Sequence, residues 1–383
     1  MKFLILAEAS SMHTYNYIKY ILTDDRIEIT LFDMTCKSIP AEYADYYAQR
    51  GVRVVHYLDA ANRLAFRDDA LSRSIKFFKK WRCLKRLGRF DVGQLEFINT
   101  SGSLLMWLNR RRYSFKLLTY WGSDILQISR NLKRIQYPLL RAADAVTLCT
   151  EKMFRKFRET YGNEFDDKLH KVNIIVGNLS IIERLFHEYG VTKSRETFGV
   201  PEGKIAVMCG YNGSSAQRQD ETVDLIAQMD QRYKDKLFLI MPFMYGCVDT
   251  AYVERVRSKL SSSGLAYTVI ERFLTYEEMA KLSLATDVYL QLRFTDALSA
   301  SMQEQIYSGS VIIQGSWLEY DELDNAGLPI VKIDRMEELP RRLAEVIDGL
   351  DAMAHRPLPE YIKAMSSGDM SRKQSMEIYG HLI

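Results

Sequence analysis

The stretch DVYLQLRFTDALSASMQEQIYSGSVIIQG, residues 287–315, indicates the fold of the second half of the chain. Its two ends, DVYLQL and SVIIQG, are apolar runs with the length of buried strands. The segment between them ends in a glycine and has a helical pattern, as in a crossover that joins two parallel strands. Two carboxylates, Asp296 and Glu304, occur in this segment with seven residues between them. Acids at both ends of a serine-rich loop are the first candidates for a functional site.

Strand-like and helix-like segments alternate along the whole chain. The predicted strands are KFLILAE, RIEITLFDM, VRVVHYLD, DVGQLEFI, FKLLTYW, AVTLCT and KVNIIVG in the first half, and KIAVMCGYN, LFLIMPF, AYTVIER, DVYLQL and SVIIQG in the second. Helical segments such as HTYNYIKYILT and TYEEMAKLSLA separate them, and Thr275 is expected to cap the latter. This alternation predicts right-handed crossovers and parallel sheets with helices on both faces. We therefore predict an α/β fold of two tandem Rossmann-like, doubly wound domains.

The length and the charge distribution also indicate two domains, because 383 residues are too many for one ordinary core. We predict one domain over residues 1–180 and a second over 181–365. Residues 366–383 are predicted to form a C-terminal helix that can pack back against the first domain. Residues 1–195 contain 33 Lys and Arg against 21 Asp and Glu, whereas the remainder contains 19 against 28. The split indicates either an anionic partner for the first half or two domains with complementary surfaces.

Missing motifs argue against several classes of protein. No run of about 18 apolar residues occurs, and Glu8 interrupts the apolar N-terminus, which favours a first strand over a signal peptide. The five cysteines form no CxxC pair and the histidines have no metal-binding spacing, so we expect a reducing cytoplasm and no metal site. The absence of GxGxxG, P-loop and GxSxG motifs argues against a dehydrogenase, a P-loop kinase and an α/β-hydrolase.

Several segments resemble the GT-B fold of sugar-nucleotide glycosyltransferases, and family 4 of that class in particular. SSMHTYNYIKYI is similar to the first loop and helix of that family, YWGSDIL to its glycine-serine-aspartate turn, and LLRAADAVTLCT to a later strand entry. TYEEMAKLSLATDVYL followed by EQIYSGSVI is similar to its donor-side signature. A second resemblance, to the amino-deoxysugar transferase of enterobacterial common antigen, rests on YWGSDIL with YPLLRAA, GYNGSS and MPFMYGCVDTAYVERV. The resemblance implies two Rossmann-like domains with a cleft between them.

The opening stretch then has a specific interpretation. The family 4 pattern has two glutamates separated by seven residues, of which the second binds the ribose hydroxyls and the first lies near the donor sugar. The resemblance thus implies a ribose ligand at Glu304, with the shorter Asp296 in the first position, near the donor sugar, as a candidate catalytic residue. The residues alone leave an alternative, because SMQE also matches a capping box in which Glu304 accepts from the N-cap amide. The backbone amides of Ser299 and Ser301 are expected at the start of this helix, where they would favour a diphosphate.

Other residues of the second domain are candidates for binding the donor. Arg293 and Arg218 are expected to neutralise the leaving diphosphate, because developing negative charge needs a preorganised cation. Asn212, Gly213 and Ser214 occur in GYNGSSAQRQ, where backbone amides can turn toward an anion. The alternative for both arginines is an ordinary exposed position.

The candidates in the first domain are Asp124 of YWGSD and His13 of SSMHT. Both follow predicted strands, and ligands of doubly wound folds lie at the carboxyl ends of the strands. Either side chain is a candidate to hold an acceptor hydroxyl or to act as a general base. The alternatives are an N-cap for Asp124 and a hydrogen-bonded loop histidine for His13.

The segment RSIKFFKKWRCLKRLGR predicts a basic amphipathic helix with Ile75, Phe78, Trp81 and Leu84 at helical spacing. A helix of this composition can lie in an anionic membrane interface, and its candidate acceptor or membrane residues are Lys76, Lys79, Lys80, Trp81 and Arg82. A helix packed on its sheet with a solvated basic face is the alternative. Nucleic acid is not expected as a partner, since no recognised binding module accompanies the charge.

These features predict a cytoplasmic, membrane-associated glycosyltransferase of bacterial surface polysaccharide synthesis. It would move a sugar from a nucleotide-diphosphate donor to a lipid-linked or saccharide acceptor, without a cofactor and without a metal. Two alternatives remain open at this point. A sugar-nucleotide epimerase shares the tandem architecture, and a catalytically silent scaffold of a polysaccharide assembly complex would explain the aspartate at position 296.

Overall fold

The computed structural model describes residues 1–58, 70–324, 326–350 and 359–383. The chain forms two compact units. Unit 1 consists of residues 1–175 together with 366–383, and unit 2 consists of residues 176–365. The C-terminal segment thus packs with the first unit, where the Tyr379 hydroxyl lies 2.8 Å from the hydroxyl of Tyr17.

Unit 1 contains a parallel sheet of seven strands in the order β3-β2-β1-β4-β5-β6-β7. The strands are β1 (Lys2–Ala7), β2 (Glu28–Asp33), β3 (Arg53–His56), β4 (Phe90–Glu96), β5 (Tyr113–Thr119), β6 (Ala145–Leu148) and β7 (Leu169–Lys171). The prediction of a strand over KVNIIVG was wrong for most of its length, because the strand ends at Lys171. Only Val172 continues toward β6, where its amide donates to the Leu148 carbonyl.

The helices of unit 1 lie between these strands, with one more at the C-terminus. They are α1 (Met12–Tyr20), α2 (Ala41–Gln49), α3 (Ala70–Lys85), α4 (Thr100–Leu108), α5 (Ser123–Leu126), α6 (Arg130–Ala142), α7 (Glu151–Tyr161) and, after unit 2, α17 (Gly368–Tyr379). Side-chain oxygens of Asn99 and Thr150 accept from backbone amides and thereby fix where α4 and α7 begin. The sequence did not predict α2, which has three tyrosines and a single buried residue, Tyr47.

Unit 2 contains a parallel sheet of six strands in the order β10-β9-β8-β11-β12-β13. The strands are β8 (Ile205–Cys209), β9 (Leu237–Pro242), β10 (Ala266–Ile270), β11 (Val288–Gln291), β12 (Val311–Gly315) and β13 (Ile330–Ile333). The helices are α8 (Leu179–Glu188), α9 (Gly190–Thr197), α10 (Gln219–Ala227), α11 (Gln231–Lys234), α12 (Thr250–Ser262), α13 (Tyr276–Ala285), α14 (Ala300–Tyr307), α15 (Leu339–Asp348) and α16 (Glu360–Ser366). Thr275 caps α13 in a capping box with Glu278, which confirms the predicted cap.

The central strands of the sheet of unit 2 are buried on both faces. Alternate residues of β8 belong to different clusters: Val207 packs with Leu239 and Leu290, whereas Met208 packs with Ile240 and Tyr289. Strands buried on both faces read as continuous apolar runs, which is why DVYLQL and SVIIQG are apolar at nearly every position. The predicted α/β fold with two Rossmann-like, doubly wound domains is therefore confirmed.

The strand order places a switch point in each sheet, where the chain changes direction from one half of the sheet to the other. It lies between β1 and β4 in unit 1 and between β8 and β11 in unit 2. Ligands of doubly wound folds bind at the carboxyl ends of the strands that flank this point. Among the described residues, no helix combines the length and the apolar character needed to cross a bilayer.

Candidate functional site

Two loops flank the switch point of unit 2. One, residues 210–218, follows β8, and the other, residues 292–299, follows β11 and leads into α14. The loops are joined by a hydrogen bond of 3.2 Å from the Phe294 amide to the Ala216 carbonyl. All the predicted donor-binding residues except Ser301 and Glu304, which lie in α14, are found in these two loops.

Glu304 is a buried carboxylic acid in the second turn of α14. No hydrogen bond or ion pair of its side chain is found within the described part of the chain. Because burial disfavours the charged form, it raises the pKa of Glu304 to about 8. A buried acid without a protein partner is rare in a folded chain, since it costs free energy that a ligand can recover.

The capping-box alternative for Glu304 was wrong. The N-cap of α14 is Ser299, whose hydroxyl accepts from the Met302 amide at 3.2 Å, so Glu304 lies beyond the capping positions. The Ser299 amide donates to Asp296 at 2.8 Å and is therefore already used within the protein. The Ser301 amide remains at the helix N-terminus, with no acceptor found among the described residues.

Asp296 holds the loop before α14 in shape. Its Oδ2 accepts from the Ser299 amide, from the Tyr320 hydroxyl at 2.8 Å and from the Gln291 side chain at 3.1 Å. Its Oδ1 lies 3.1 Å from a guanidinium nitrogen of Arg293. The carboxylate is buried and its two oxygens are occupied, so the geometry gives Asp296 a positioning role. Its predicted catalytic role stays a prediction.

The two predicted diphosphate-binding arginines are ordered by protein carboxylates. Arg218 makes two hydrogen bonds of 2.9 Å to Glu221, and its guanidinium lies 5.0 Å from the Phe294 ring centroid. Arg293 binds Asp296 and also donates to the Tyr211 hydroxyl. Both side chains are less than one-fifth exposed. They are therefore not ordinary exposed arginines, although part of their charge is already paired.

The loop after β8 depends on a close approach at Gly213. A Cβ at this position would lie 2.3 Å from the Cys247 sulfur, so a larger residue would force the Cys247 side chain to move. The Gly213 amide donates to the Tyr245 carbonyl at 2.8 Å, and the Asn212 side chain accepts from the Ser214 amide at 3.0 Å. The loop is thus rigidly packed against the loop after β9, and these three residues shape it.

Two aromatic residues that the sequence did not single out lie at the ends of β9 and β10. The rings of Tyr245 and Phe273 are parallel within 10° at a centroid distance of 6.1 Å, and they are 44% and 74% exposed. Burial raises the pKa of the Tyr245 hydroxyl to about 12, and the charges of Glu304 and Asp296 add to this rise. The loop MPFMYG was recognisable as one that follows a strand, but nothing in the sequence distinguished Tyr245 within it.

In unit 1, Asp124 joins the loops after β4 and β5. Its Oδ2 accepts from the Ile98 amide at 2.9 Å, and its Oδ1 accepts from the amides of Trp121 and Gly122 at 3.1 and 2.9 Å. Burial raises the pKa of Asp124 to about 6 despite these amides, which act in the opposite direction. The N-cap of α5 is Gly122, so the alternative of a simple N-cap at Asp124 was wrong.

His13 lies in the first turn of α1, next to the same loop. Its ring stacks on Trp121 at a centroid distance of 4.5 Å and an angle of 23°. Burial lowers the pKa of His13 to about 4, so the imidazole is neutral at pH 7 and able to accept a proton. Trp121, which the sequence did not single out, thus brings His13 and Asp124 together.

The sequence analysis also missed a third ionisable residue, a second acid, at the switch point of unit 1. Glu96 is the last residue of β4 and is buried, with the Thr14 hydroxyl donating to its Oε2 at 2.7 Å. Burial raises the pKa of Glu96 to about 7. An acid at the carboxyl end of an apolar strand was a visible signal, but DVGQLEFI was interpreted only as a strand.

Helix α3 exposes part of its apolar side. Leu84 is buried, whereas Leu71, Ile75 and Phe78 are 71%, 40% and 55% exposed. These three residues follow helical spacing and form one stripe. The helix contains six basic residues and no acid; they are Arg73, Lys76, Lys79, Lys80, Arg82 and Lys85. Trp81 is half-buried between the Phe78 ring and the Lys85 ammonium.

Comparison with known proteins shows the fold. No protein-family model and no curated protein sequence matches the chain. Among solved structures, HepE of Anabaena in complex with UDP and glucose aligns with a TM-score of 0.70 at 14% identity over 100% of both chains. Sucrose-phosphate synthase of Thermosynechococcus elongatus aligns with a TM-score of 0.74 at 14% identity, over 100% of this chain and 99% of its own. A glycosyltransferase of Rickettsia africae gives 0.71 at 10% identity, over 100% and 98%.

These neighbours are GT-B glycosyltransferases, and the chain has the GT-B fold. They do not distinguish family 4 from other families of that fold.

Proposed function

We propose that the chain is a glycosyltransferase that takes a sugar from a nucleotide-diphosphate donor bound by unit 2. The observation that carries this proposal is Glu304, a buried acid without a protein partner beside the switch point of the sheet. A carboxylate in this position accepts hydrogen bonds from two vicinal hydroxyls of a ribose. HepE, a structural neighbour, was solved with UDP-glucose, which supports a uridine nucleotide sugar as the first donor to test.

The other parts of the donor match neighbouring features of unit 2. The diphosphate would lie at the N-terminus of α14, where the Ser301 amide and the helix dipole favour an anion. Arg218 and Arg293 would add positive charge as the diphosphate leaves, so that the proposed reaction needs no metal there. The exposed rings of Tyr245 and Phe273 offer a surface on which a nucleobase can stack.

The acceptor would be held by unit 1. Its switch point carries Glu96 with a pKa of about 7 and His13 with a pKa of about 4, both shifted toward the neutral form by burial. Glu96, whose pKa lies near neutral pH, can accept a proton from a sugar hydroxyl if the reaction needs a general base, and the neutral imidazole of His13 can accept a hydrogen bond from that hydroxyl. Asp124 would position the loop that carries Trp121 rather than take part directly.

We further propose that α3 brings the enzyme to an anionic membrane, where a lipid-linked acceptor of surface polysaccharide synthesis would be found. The exposed stripe of Leu71, Ile75 and Phe78 gives an apolar area to insert, and the six basic residues provide attraction to anionic headgroups. The site of action would then be the cytoplasmic face of the cell membrane.

Turnover of nucleotide sugars tests the enzymatic proposal. The purified protein is incubated with UDP-, GDP- and dTDP-sugars, with and without a bacterial lipid extract, and the released nucleoside diphosphate is measured. We expect release that depends on the extract with one donor, lost in Glu304→Gln and retained in Glu202→Gln, an exposed acid of the same unit. Conversion of the donor sugar without the extract would instead identify an epimerase, and failure to bind any nucleotide would favour a scaffold.

Sedimentation with vesicles tests the membrane proposal. We expect the protein to bind vesicles that contain phosphatidylglycerol and not vesicles of phosphatidylcholine alone. Phe78→Ser should weaken this binding, whereas Val248→Ser, which changes an apolar residue of unit 2 that is 94% exposed, should not. Equal binding of both variants would show that α3 does not contact the membrane.

A further inference from the structure

Three side chains with metal-binding chemistry lie together in unit 1, at the carboxyl ends of β2 and β3. They are Asp33, Cys36 and His56, and one ligand atom of each lies within 4.8 Å of the other two. Asp33 and Cys36 are buried, and His56 is half-buried. The proposed glycosyl transfer uses none of them, so an inference about this cluster does not rest on the proposed function.

The parallel register of the sheet brings two of these residues together. Asp33 and His56 are paired residues at the ends of β2 and β3. Their side chains therefore leave the sheet on the same face, and His56 Nδ1 lies 3.0 Å from Asp33 Oδ2. Cys36 follows three residues after Asp33 in a left-handed conformation, with φ of 56°. That conformation is uncommon for a residue with a side chain and is found at ligand clamps.

The carboxylate of Asp33 is already oriented by the protein. Its Oδ1 accepts from the Ala9 amide, the Thr35 amide and the Thr35 hydroxyl, each at 3.2 Å. These donors hold one oxygen and leave Oδ2 directed toward His56. Metal-binding carboxylates are fixed by such hydrogen bonds, which keep the ligand oxygen in place before the ion arrives.

The ligand set favours one class of ion. A thiolate, an imidazole and a carboxylate are the three side-chain types that bind Zn²⁺, whereas Mg²⁺ and Ca²⁺ prefer oxygen ligands alone. Zinc–ligand bonds of about 2.0–2.3 Å place tetrahedral ligand atoms about 3.3–3.7 Å apart. The ligand atoms of the cluster lie within 4.8 Å of one another, so an ion would require any pair at that limit to move closer by about 1–1.5 Å.

We propose that Asp33, Cys36 and His56 form a binding site for a Zn²⁺-type ion, with the fourth position open to water. Binding would release the proton of the Cys36 thiol, because the thiolate is the ligand. It would also replace the hydrogen bond between His56 Nδ1 and Asp33 Oδ2, with the neutral imidazole bound through its unprotonated nitrogen. The ion would tie the end of β2 to the end of β3. This proposal departs from the expectation of no metal site, which rested on local spacing in the sequence.

Lys80 of α3 lies near the cluster, and its positive charge would repel a metal ion bound there. Lys80 lies close enough to Asp33 and Cys36 to interact electrostatically with both side chains. Its ammonium lies 4.9 Å from the Tyr57 ring centroid and forms no ion pair within the described residues. A positive charge this close to the cluster weakens the binding of a second cation, so Lys80→Met should tighten metal binding.

Cobalt titration of the chelator-treated, full-length protein tests the site, because Co²⁺ reports its ligands by absorption. We expect one Co²⁺ per chain, visible bands of tetrahedral coordination, a thiolate charge-transfer band, and displacement by Zn²⁺. Cys36→Ser should remove the charge-transfer band, while Cys83→Ser, a half-buried cysteine on α3, should retain it. Thr35→Val removes only a hydrogen bond to Asp33 and should weaken binding about 10–100-fold.

The same titration can overturn the proposal. A wild-type protein that is folded by circular dichroism but gives no charge-transfer band would show that the cluster does not bind such ions. A band that persists in Cys36→Ser would assign the ion to another cysteine. Equal binding by His56→Gln and the wild type would remove His56 from the ligand set. None of these outcomes depends on whether unit 2 binds a nucleotide.

Discussion

Replacement of Glu304 by glutamine should change stability and ligand binding in opposite directions. In the free protein the buried carboxyl has a pKa of about 8 instead of 4.5, because ionisation without a partner is unfavourable there. Each pKa unit corresponds to about 1.4 kcal/mol, so the full penalty at high pH is of order 5 kcal/mol. The protonated carboxyl and the amide of glutamine have similar desolvation costs when buried, so these costs largely cancel in the comparison. We therefore expect Glu304→Gln to stabilise the free protein by up to about 5 kcal/mol at pH 9.

The sign of this effect depends on pH in a defined way. Below pH 4.5 the carboxyl is protonated in both the folded and the unfolded chain, and its ionisation contributes nothing to stability. Between pH 4.5 and about 8 only the unfolded chain releases the proton, so the penalty for the wild type grows with pH. Above pH 8 the penalty is constant. The stabilisation by glutamine should thus be small at pH 5 and largest at pH 9.

Scanning calorimetry at these two pH values measures the effect. For a unit of this size about 1 kcal/mol shifts the melting temperature by about 2–4 °C, so we expect a rise of several degrees at pH 9. Glu202→Gln, the same chemical change at an exposed position, should leave the melting temperature unchanged at both pH values. A decrease for Glu304→Gln of equal size at pH 5 and pH 9 would refute the reasoning, because it would show that Glu304 is held by stabilising hydrogen bonds.

Three further variants test the loops around the two switch points. Gly213→Ala should lower stability by about 1–3 kcal/mol and weaken nucleotide binding, since its Cβ would overlap the Cys247 sulfur. Calorimetry would measure the loss of stability and nucleotide titration the loss of affinity. Unchanged values would refute the close approach. Asp296→Asn should lower stability by about 1–3 kcal/mol and also weaken nucleotide binding, because the amide has one acceptor oxygen where the carboxylate has two. An unaffected nucleotide affinity would argue against a positioning role for Asp296. Asp124→Asn should lower the melting temperature while leaving nucleotide binding intact, since it orders a loop of unit 1; a loss of nucleotide binding would contradict this assignment.

The sequence predicted the fold best where burial requires apolar residues. Strands covered on both faces must be apolar at nearly every position, so β8, β9, β11 and β12 could be predicted from their composition. Helix α2 and strand β13 could not, because α2 buries only Tyr47 and the residues of β13 are only partly buried, except Ile333. The strand prediction over KVNIIVG failed because the run leaves the sheet after Lys171 although its residues remain apolar and largely buried.

The candidate site was predictable where local spacing brings residues together or where a loop follows a strand beside the switch point. Asp296, Ser299 and Glu304 lie within one turn and one helix, so their neighbourhood follows from the chain itself. Tyr245 approaches this helix from a different strand, and the sequence does not encode which loop residue turns inward. The pair of Asp33 and His56 depends in the same way on the register of β2 with β3, which no motif records. Hydrogen-bond partners such as the amides that Asp124 binds are likewise a property of the folded loops.

The central claim, that unit 2 binds a nucleotide diphosphate through Glu304, is tested most directly by melting temperatures with UDP, GDP, dTDP and CMP. A ligand at about 100 times its dissociation constant adds about 2.7 kcal/mol to the stability of the state that binds it. We predict that one nucleoside diphosphate raises the melting temperature of the wild type and of Glu202→Gln, and that Glu304→Gln loses this response. If no nucleotide raises the melting temperature of the folded wild type, or if Glu304→Gln responds equally, the assignment of the donor site is contradicted.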